Sequence, residues 1–475
     1  MTKSRPILLL GLILFFFCVA PFFVQKSMYN DGIWYACISK NLANGIGSFW
    51  SPQLTSTIFP TFHEHPPLVF GIQSVFFSLF GNGIVVERFY AFFIFLFSAW
   101  LVSRMWRQGF IDNPALSSLW PLPIIFWLLN EVIYQFYPGN VLEPTMGAFT
   151  LLSILSLWKA AEKIRFQSSI LFLVLGSLAV VAATLSKGFV GLFPLAVVFL
   201  HWLVFRSMSF WQMMLRSAVV STLLVVTYVL LLTDTGALES LGKYIDSQVL
   251  ASINAERTAY HHRDSHLYIL KRLFEVSIPS LLLLGLLLYP AFKQKALAFN
   301  KENTRLATFY ALIGVSASFP LMISPKQSFY YLLPAIPFFA LAMASLVAPI
   351  VHKYLQDLED HPDRSRAIQK GLLALLLVSV IFTMAKVGAI SNRDKVSLPD
   401  IEKIGAIVPH GSTVGAKAYT AQLVGYLYRN YEINIDTNEF NYEYLILDGD
   451  KAISEPENFS KALEGTKRFH LYQRQ

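Results

Sequence analysis

NDGIWYACISKNLANGIGSFWSPQLTSTIFPTFHEHPP, residues 30–67, decides how this chain is read. An apolar run long enough to cross a bilayer ends just before it, and a second apolar region begins just after it. The stretch is too polar to span a membrane and too rich in Trp, Tyr and Phe for a disordered linker. Aromatic loops in that position lie on the headgroup layer, where their rings meet hydrocarbon and their polar edges meet water. This one holds Asp31, His63, Glu64 and His65. A carboxylate and a His-Glu-His cluster at one face of a membrane make a candidate reaction centre.

Outward from that loop, the chain is 55% hydrophobic and 14% charged, with a mean hydropathy of +0.50. Soluble domains carry about a quarter charged residues, so the balance excludes one. Apolar runs near or above the roughly 18-residue threshold recur from residue 6 to residue 390. The short alternating segments of a β-barrel are absent. The reading is an all-α polytopic membrane protein of about 11–13 transmembrane helices with a small C-terminal α/β appendage. The net charge of +8 does not point to nucleic acid, because Lys and Arg sit mostly in short loops between apolar runs. Cys18 and Cys37 are too few for a disulfide framework and read as unpaired thiols.

Crossings are expected at 6–24, 117–136, 143–158, 169–185, 188–205, 209–233, 273–291, 305–323, 328–350 and 371–390, with 66–104 in addition. The first run follows Lys3 and Arg5 and lacks a small-residue cleavage site, so it is read as a retained helix, not a signal peptide. The basic clusters beside Arg5, Arg104, Lys159, Arg206, Lys301 and Arg364 are expected to face the cytoplasm. The loops 25–65, 137–142 and 234–272, and everything after 391, then face out. Region 66–104, split by FGNG at 80–83, reads either as one broken crossing or as two. Residues 1–392 are expected to form the membrane domain and residues 393–475 an outer-face unit. In that unit VPHGSTVGA, AYTAQLVGYLYRN and NYEYLILDGD read as strand, helix and strand. At about 80 residues it is marginal for independent stability and is expected to rest on the membrane part.

The ionisable residues of the outward loops carry the chemistry. Asp31 reads as a helix cap before WYACISKNL or as a general base. Glu143, in YPGNVLEPTMGAF, is costly at a membrane edge unless it is partnered; its alternative is a first-turn Glu favoured by the helix dipole. Lys187 in TLSKGFVGL and Lys326 in ISPKQSFYYLLPAIP interrupt apolar runs, as functional cations or as snorkelling lysines. His63, Glu64 and His65 are zinc-capable, but their spacing is no standard zinc motif. AERTAYHHRDSHLY contributes Arg257, His261, His262, Arg263 and His266, which suit a phosphate headgroup or a solvated interfacial helix. One topology puts all of them on one side. Two acids with several cations at lipid depth fit an enzyme acting on a lipid phosphate.

At this point the chain resembles a GT-C glycosyltransferase, closest to bacterial relatives of the protein O-mannosyltransferases and of the aminoarabinose transferases that modify lipid A. NDGIWYACISKNLANGIGSFW followed by HEHPPLVF resembles that family's first outer loop, and FGNGIVVERFYAF the segment after it. VLEPTMGAF resembles the second-acid segment, TLSKGFVGL the Thr-Lys-Gly segment, AYHHRDSHLY a His-Arg loop, and SPKQSFYYLLPAIPFFALA the late Lys-Tyr-Leu-Pro helix. The resemblance covers about residues 5–350. It implies Asp31 as catalytic base and Glu143 as second acid, with His65, Lys187, Arg263, Lys326 and Tyr330 near the donor phosphate. It implies Glu64 and His262 as positions able to bind a divalent metal (zinc, magnesium or manganese); no cofactor is otherwise required. Three positions depart from the pattern: Gly32 replaces a Glu, Trp34 an Arg, and His65 a Lys.

The expected function is inverting transfer of a sugar from a polyprenyl-phosphate donor to a lipid, glycan or protein acceptor. It would take place at the outer face of the plasma (inner) membrane. The expected partners are that donor, the acceptor and membrane lipids, with no nucleic acid. A transporter or flippase for lipid-linked glycan, or a decayed homologue, is the competing reading. The first would show inverted repeats and mid-membrane ionisable residues, and neither is visible.

Overall fold

A computed structural model describes residues 5–251, 267–293, 301–323, 327–449 and 458–475 of the chain. Among them, eight helices are long and apolar enough to cross a membrane: Arg5–Val24, Val86–Gly109, Gln167–Lys187, Phe210–Leu231, Tyr268–Pro290, Lys301–Ile323, Ile336–Asp360 and Pro362–Met384. Leu68–Phe80 and Phe189–Phe205 are shorter apolar helices. Leu142–Glu162 runs through the middle of the bundle with its serines and threonines buried against protein, where Ser153 Oγ donates to the Gly176 carbonyl at 2.9 Å. Phe210–Leu231 and Tyr268–Pro290 instead leave most of their apolar residues uncovered. That is the surface a bilayer covers, since lipid requires every backbone group to be satisfied within the helix. The chain is a polytopic α-helical membrane protein.

Two expected crossings are interrupted, each for a local reason. The 117–136 stretch forms Pro121–Leu128 and Glu131–Phe136. Asn130 separates them, its side chain accepting from the Val132 N–H at 3.2 Å as an N-cap. The 328–350 stretch opens as a separate 3-10 turn, Phe329–Leu332, before Ile336–Asp360 begins with Pro337 in its first turn. Both breaks lie at the face that carries Asp31.

Region 66–104 crosses once. Leu68–Phe80 has 13 residues, about 20 Å of helix against a hydrocarbon core of about 30 Å. Its start packs with Trp50 and Leu241 and its end with Arg429, 5.3 Å over Phe77, all at the Asp31 face. Gly81 ends it with φ +81°, and Val86–Gly109 then descends. At the far end Gln108 pairs with Glu162 and Arg107 lies 5.6 Å over Trp120. Lys159 and Lys163 lie over Phe172 at that same opposite face.

The C-terminal residues build a five-stranded sheet of order β2-β1-β3-β5-β4. Its strands are β1 (Thr413–Ala416), β2 (Asn434–Asp436), β3 (Tyr444–Asp448), β4 (Phe459–Lys461) and β5 (Phe469–Arg474). β1, β2 and β3 are parallel, whereas β5 runs antiparallel to β3 and β4. The strand, helix and strand read from the sequence are β1, Ala421–Tyr431 and β3; Ser397–Ile407, β2, β4 and β5 complete the unit. It rests on the bundle through Ala421–Tyr431. Arg429 pairs with Glu87 at 2.7 Å, both almost fully buried, and Tyr428 Oη donates to Asn41 Oδ1 at 3.1 Å.

Candidate active site

Both acids come from first helical turns. Asp31 is the second residue of Asn30–Ala43, behind Tyr29 at the cap position. Asp31 is therefore not the N-cap, which corrects one of its two sequence readings. Glu143 is the second residue of Leu142–Glu162. A helix N-terminus favours a negative charge and a C-terminus a positive one. Lys187, the last residue of Gln167–Lys187, meets Glu143 in that complementary way. The two form an ion pair in which Glu143 is 1% and Lys187 10% exposed. The second oxygen of Glu143, Oε2, has no hydrogen-bond partner among the described residues.

The Phe329–Leu332 turn closes the space between the acids. Tyr330 Oη donates to Asp31 Oδ2 at 3.4 Å, while the Lys187 ammonium lies 5.4 Å from the Tyr330 ring and 4.9 Å from that of Tyr331. Burial, then the neighbouring Tyr331, Asp31 and Glu143, push the Tyr330 phenol above its usual range. It stays protonated and remains a donor. Tyr29 packs edge-on to Tyr330 at 5.7 Å. Behind Lys187, Tyr244 Oη donates to the Lys187 carbonyl at 3.4 Å. Gly188, at φ +83°, has no room for a side chain there, because a Cβ would lie 1.9 Å from that hydroxyl.

The structure thus brings Asp31, Glu143, Lys187 and Tyr330 together. Glu64 and His65 lie on the neighbouring rim. His65 packs at 5.9 Å from Tyr35, and Gln248 Nε2 donates to Glu64 Oε1 at 3.3 Å. His63 Nδ1 is 3.3 Å from Ser240 Oγ. His262, Arg263 and Lys326, with Arg257, His261 and His266, lie outside the described residues. Among the described residues no three His, Cys, Asp or Glu side chains converge as a metal-binding group; of the two positions implied for a metal, Glu64 is described and His262 is not.

Two of the family departures have a physical basis. Gly32 is pressed onto the 138–140 loop, where a Cβ would sit 1.8 Å from the Gly139 carbonyl oxygen; no carboxylate side chain fits. Trp34 is engaged with the C-terminal unit, its Nε1 donating to the Ala421 carbonyl at 2.9 Å.

The sequence reading also missed Arg88 and Asn140. The Arg88 guanidinium donates to the carbonyls of Phe22 (3.2 Å), Gln25 (3.2 Å) and Pro138 (2.8 Å), tying together the chain segments that lead into Asp31 and Glu143. Asn140, at φ +56°, donates to the Gly32 carbonyl at 2.9 Å and accepts from Gln73 at 2.7 Å. The only signal for Arg88 was a charge opening an apolar helix. An apolar cavity of about 480 Å³, lined by Leu270, Leu273, Phe274, Phe339 and Met343 among others, lies between the helices Tyr268–Lys293, Lys301–Ser318 and Ile336–Asp360, the first and last of which adjoin the Tyr330 turn.

Comparison with solved structures follows the same outline. ArnT from Cupriavidus metallidurans bound to undecaprenyl phosphate superposes with a TM-score of 0.65 at 14% identity, covering 99% of this chain and 98% of that one. The chain shares the fold of ArnT. ArnT in the apo state gives 0.63 at 14% identity, covering 97% and 95%. Archaeal oligosaccharyltransferase AglB from Archaeoglobus fulgidus, in complex with an inhibitory peptide and a dolichol-phosphate, gives 0.52 at 13% identity, covering 94% of this chain and 69% of that one. No sequence family and no curated protein matches the chain. The ArnT-like fold therefore extends from the first helix through the C-terminal sheet.

Proposed function

We propose that the chain is an integral-membrane inverting glycosyltransferase that moves a sugar from a polyprenyl-phosphate donor to a lipid, glycan or protein acceptor. The observation that carries this reading is the convergence of Asp31 with the Glu143–Lys187 pair around Tyr330. The undecaprenyl phosphate and dolichol-phosphate named in the ArnT and AglB structures support a lipid phosphate as the donor's carrier.

Asp31 takes the proton of an acceptor hydroxyl or amine as that atom bonds to the anomeric carbon. The bond from that carbon to the phosphate oxygen breaks on the opposite face, and the lipid phosphate departs with the electron pair. Lys187 faces the charge that develops on it. Tyr330 orients Asp31, and Glu143 holds Lys187 in place through their ion pair. The apolar cavity lined by Leu270, Leu273 and Phe339 suits an isoprenoid tail. We place the pocket and residues 393–475 at the outer face of the inner membrane, and the N-terminus and the basic clusters in the cytoplasm.

The test uses purified full-length chain in nanodiscs, hexose and pentose esters of undecaprenyl phosphate as donors, and a cell-envelope extract as acceptor. Released undecaprenyl phosphate is the readout. Asp31→Asn is expected to lower release by about 10²-fold or more while still binding undecaprenyl phosphate. Unchanged release by Asp31→Asn overturns the assignment, and translocation of the lipid without release makes the chain a transporter.

A further inference from the structure

Residues 24–28, which lead into Asp31, are tied to the far end of the chain at nearly every position. Gly388 N–H donates to the Val24 carbonyl at 2.9 Å, and Lys26 N–H to the Ala389 carbonyl at 2.8 Å. Ser391 N–H donates to Ser27 Oγ at 2.9 Å. At Met28, three residues before Asp31, both backbone groups are taken by side chains. Tyr426 Oη accepts from the Met28 N–H at 2.9 Å, and the Arg393 guanidinium donates to the Met28 carbonyl.

Those two side chains meet on one carboxylate. Asp394 is 0% exposed. It accepts from Arg393 Nε (2.7 Å) and Nη2 (2.8 Å), Gln422 Nε2 (2.8 Å) and Tyr426 Oη (2.9 Å). Charge-assisted bonds converging on a buried carboxylate hold their donors in one arrangement. Arg393 also lies 5.8 Å over the Tyr29 ring, and Tyr29 packs on Tyr330, the donor to Asp31. The node therefore reaches the acid along two routes, the Met28 backbone and the Tyr29 ring.

Docking of the C-terminal unit does not depend on this node. Arg429–Glu87, Lys40–Glu432 and Tyr428–Asn41 hold the Ala421–Tyr431 helix separately. The hydroxyl of Tyr426 instead bridges Asp394 and the segment that delivers the acid.

We propose that Arg393, Asp394 and Tyr426 are positioning residues that set the place of Asp31 through Met28, which makes the C-terminal α/β unit part of the reaction machinery. This rests on the reading of Asp31 as the base. Tyr426→Phe removes one hydroxyl and keeps the ring. Tyr428→Phe, on the same helix, removes a docking hydroxyl that does not touch Met28.

In full-length protein in nanodiscs, Tyr426→Phe is expected to speed hydrogen–deuterium exchange at the Met28 amide at least tenfold, with exchange across residues 444–448 unchanged. With undecaprenyl-phosphate sugars as donors, its kcat falls at least tenfold and its donor KM stays within twofold, whereas Tyr428→Phe does neither. Unchanged exchange at Met28, or an equal loss of kcat in Tyr428→Phe, overturns the proposal. Should Asp31→Asn keep full turnover, the base assignment falls, and the Met28 exchange still decides whether the node holds the segment. Should Asp31→Asn lose turnover while Tyr426→Phe keeps both turnover and slow exchange, the node alone falls.

Discussion

Glu143 places one oxygen on Lys187, and its other oxygen has no hydrogen-bond partner among the described residues. Removing one member of a buried pair strands the other charge, at a cost of about 3–5 kcal/mol. Glu143→Gln and Lys187→Met should each lower the thermal inactivation temperature in detergent more than the double variant does, and all three should lose turnover. A double variant no more stable than either single would show that the two do not form a pair. These residues were legible because ionisable side chains beside apolar runs are rare and expensive. Arg88 was not, since its acceptors are the carbonyls of residues 22, 25, 26, 27 and 138, which leave no mark in a sequence. Gly32 was legible only as a departure from the family pattern; the Gly139 carbonyl against it supplies the reason.

Elements were read best where apolar length alone decides, and least well where a cap or a proline divides a run. Asn130 and Pro337 each cut an expected crossing, and the two resulting turns present Phe136 and Tyr330 to each other at 4.9 Å. The contact between Asn30–Ala43 and Ala421–Tyr431 was invisible, because it joins residues nearly four hundred positions apart. One of its pairs gives a pH test. Lys40, through its hydrogen bond and its charge, holds the Glu432 carboxyl below its ordinary range. A carboxylate depressed in the folded state stabilises above its unfolded value of about 4.3 and loses that contribution as pH falls through the folded value. Glu432 is 59% exposed, so screening limits the effect to about 0.2–1 kcal/mol. The melting-temperature gap between the native protein and Glu432→Gln should be steady from neutral pH to about pH 5 and close below about pH 4. A gap that widens on acidification would contradict the pair.

For the whole molecule, the polytopic class followed from composition and from the length of the apolar runs. The path of residues 66–104 did not, because FGNG reads equally well as a break within one crossing or a loop between two. The short Leu68–Phe80 helix settles it at one. In intact membrane vesicles, Asn82→Cys and Asp112→Cys should therefore label from opposite sides, and Asn44→Cys from the side of Asn82→Cys. Labelling of positions 82 and 112 from the same side would require a second crossing. The C-terminal unit carried no motif, and its link to the pocket consists of hydrogen bonds to the Met28 backbone and the contact of Arg393 with the Tyr29 ring, which no residue pattern records.

The most direct measurement is a cryo-electron microscopy structure of the full chain with undecaprenyl phosphate bound. The phosphate is expected within hydrogen-bonding reach of Lys187, with the Asp31 carboxylate facing the same space and the isoprenoid tail in the apolar cavity lined by Leu270, Leu273 and Phe339. A phosphate held away from Lys187, or at the face that carries Arg107 and Lys163, would contradict that placement.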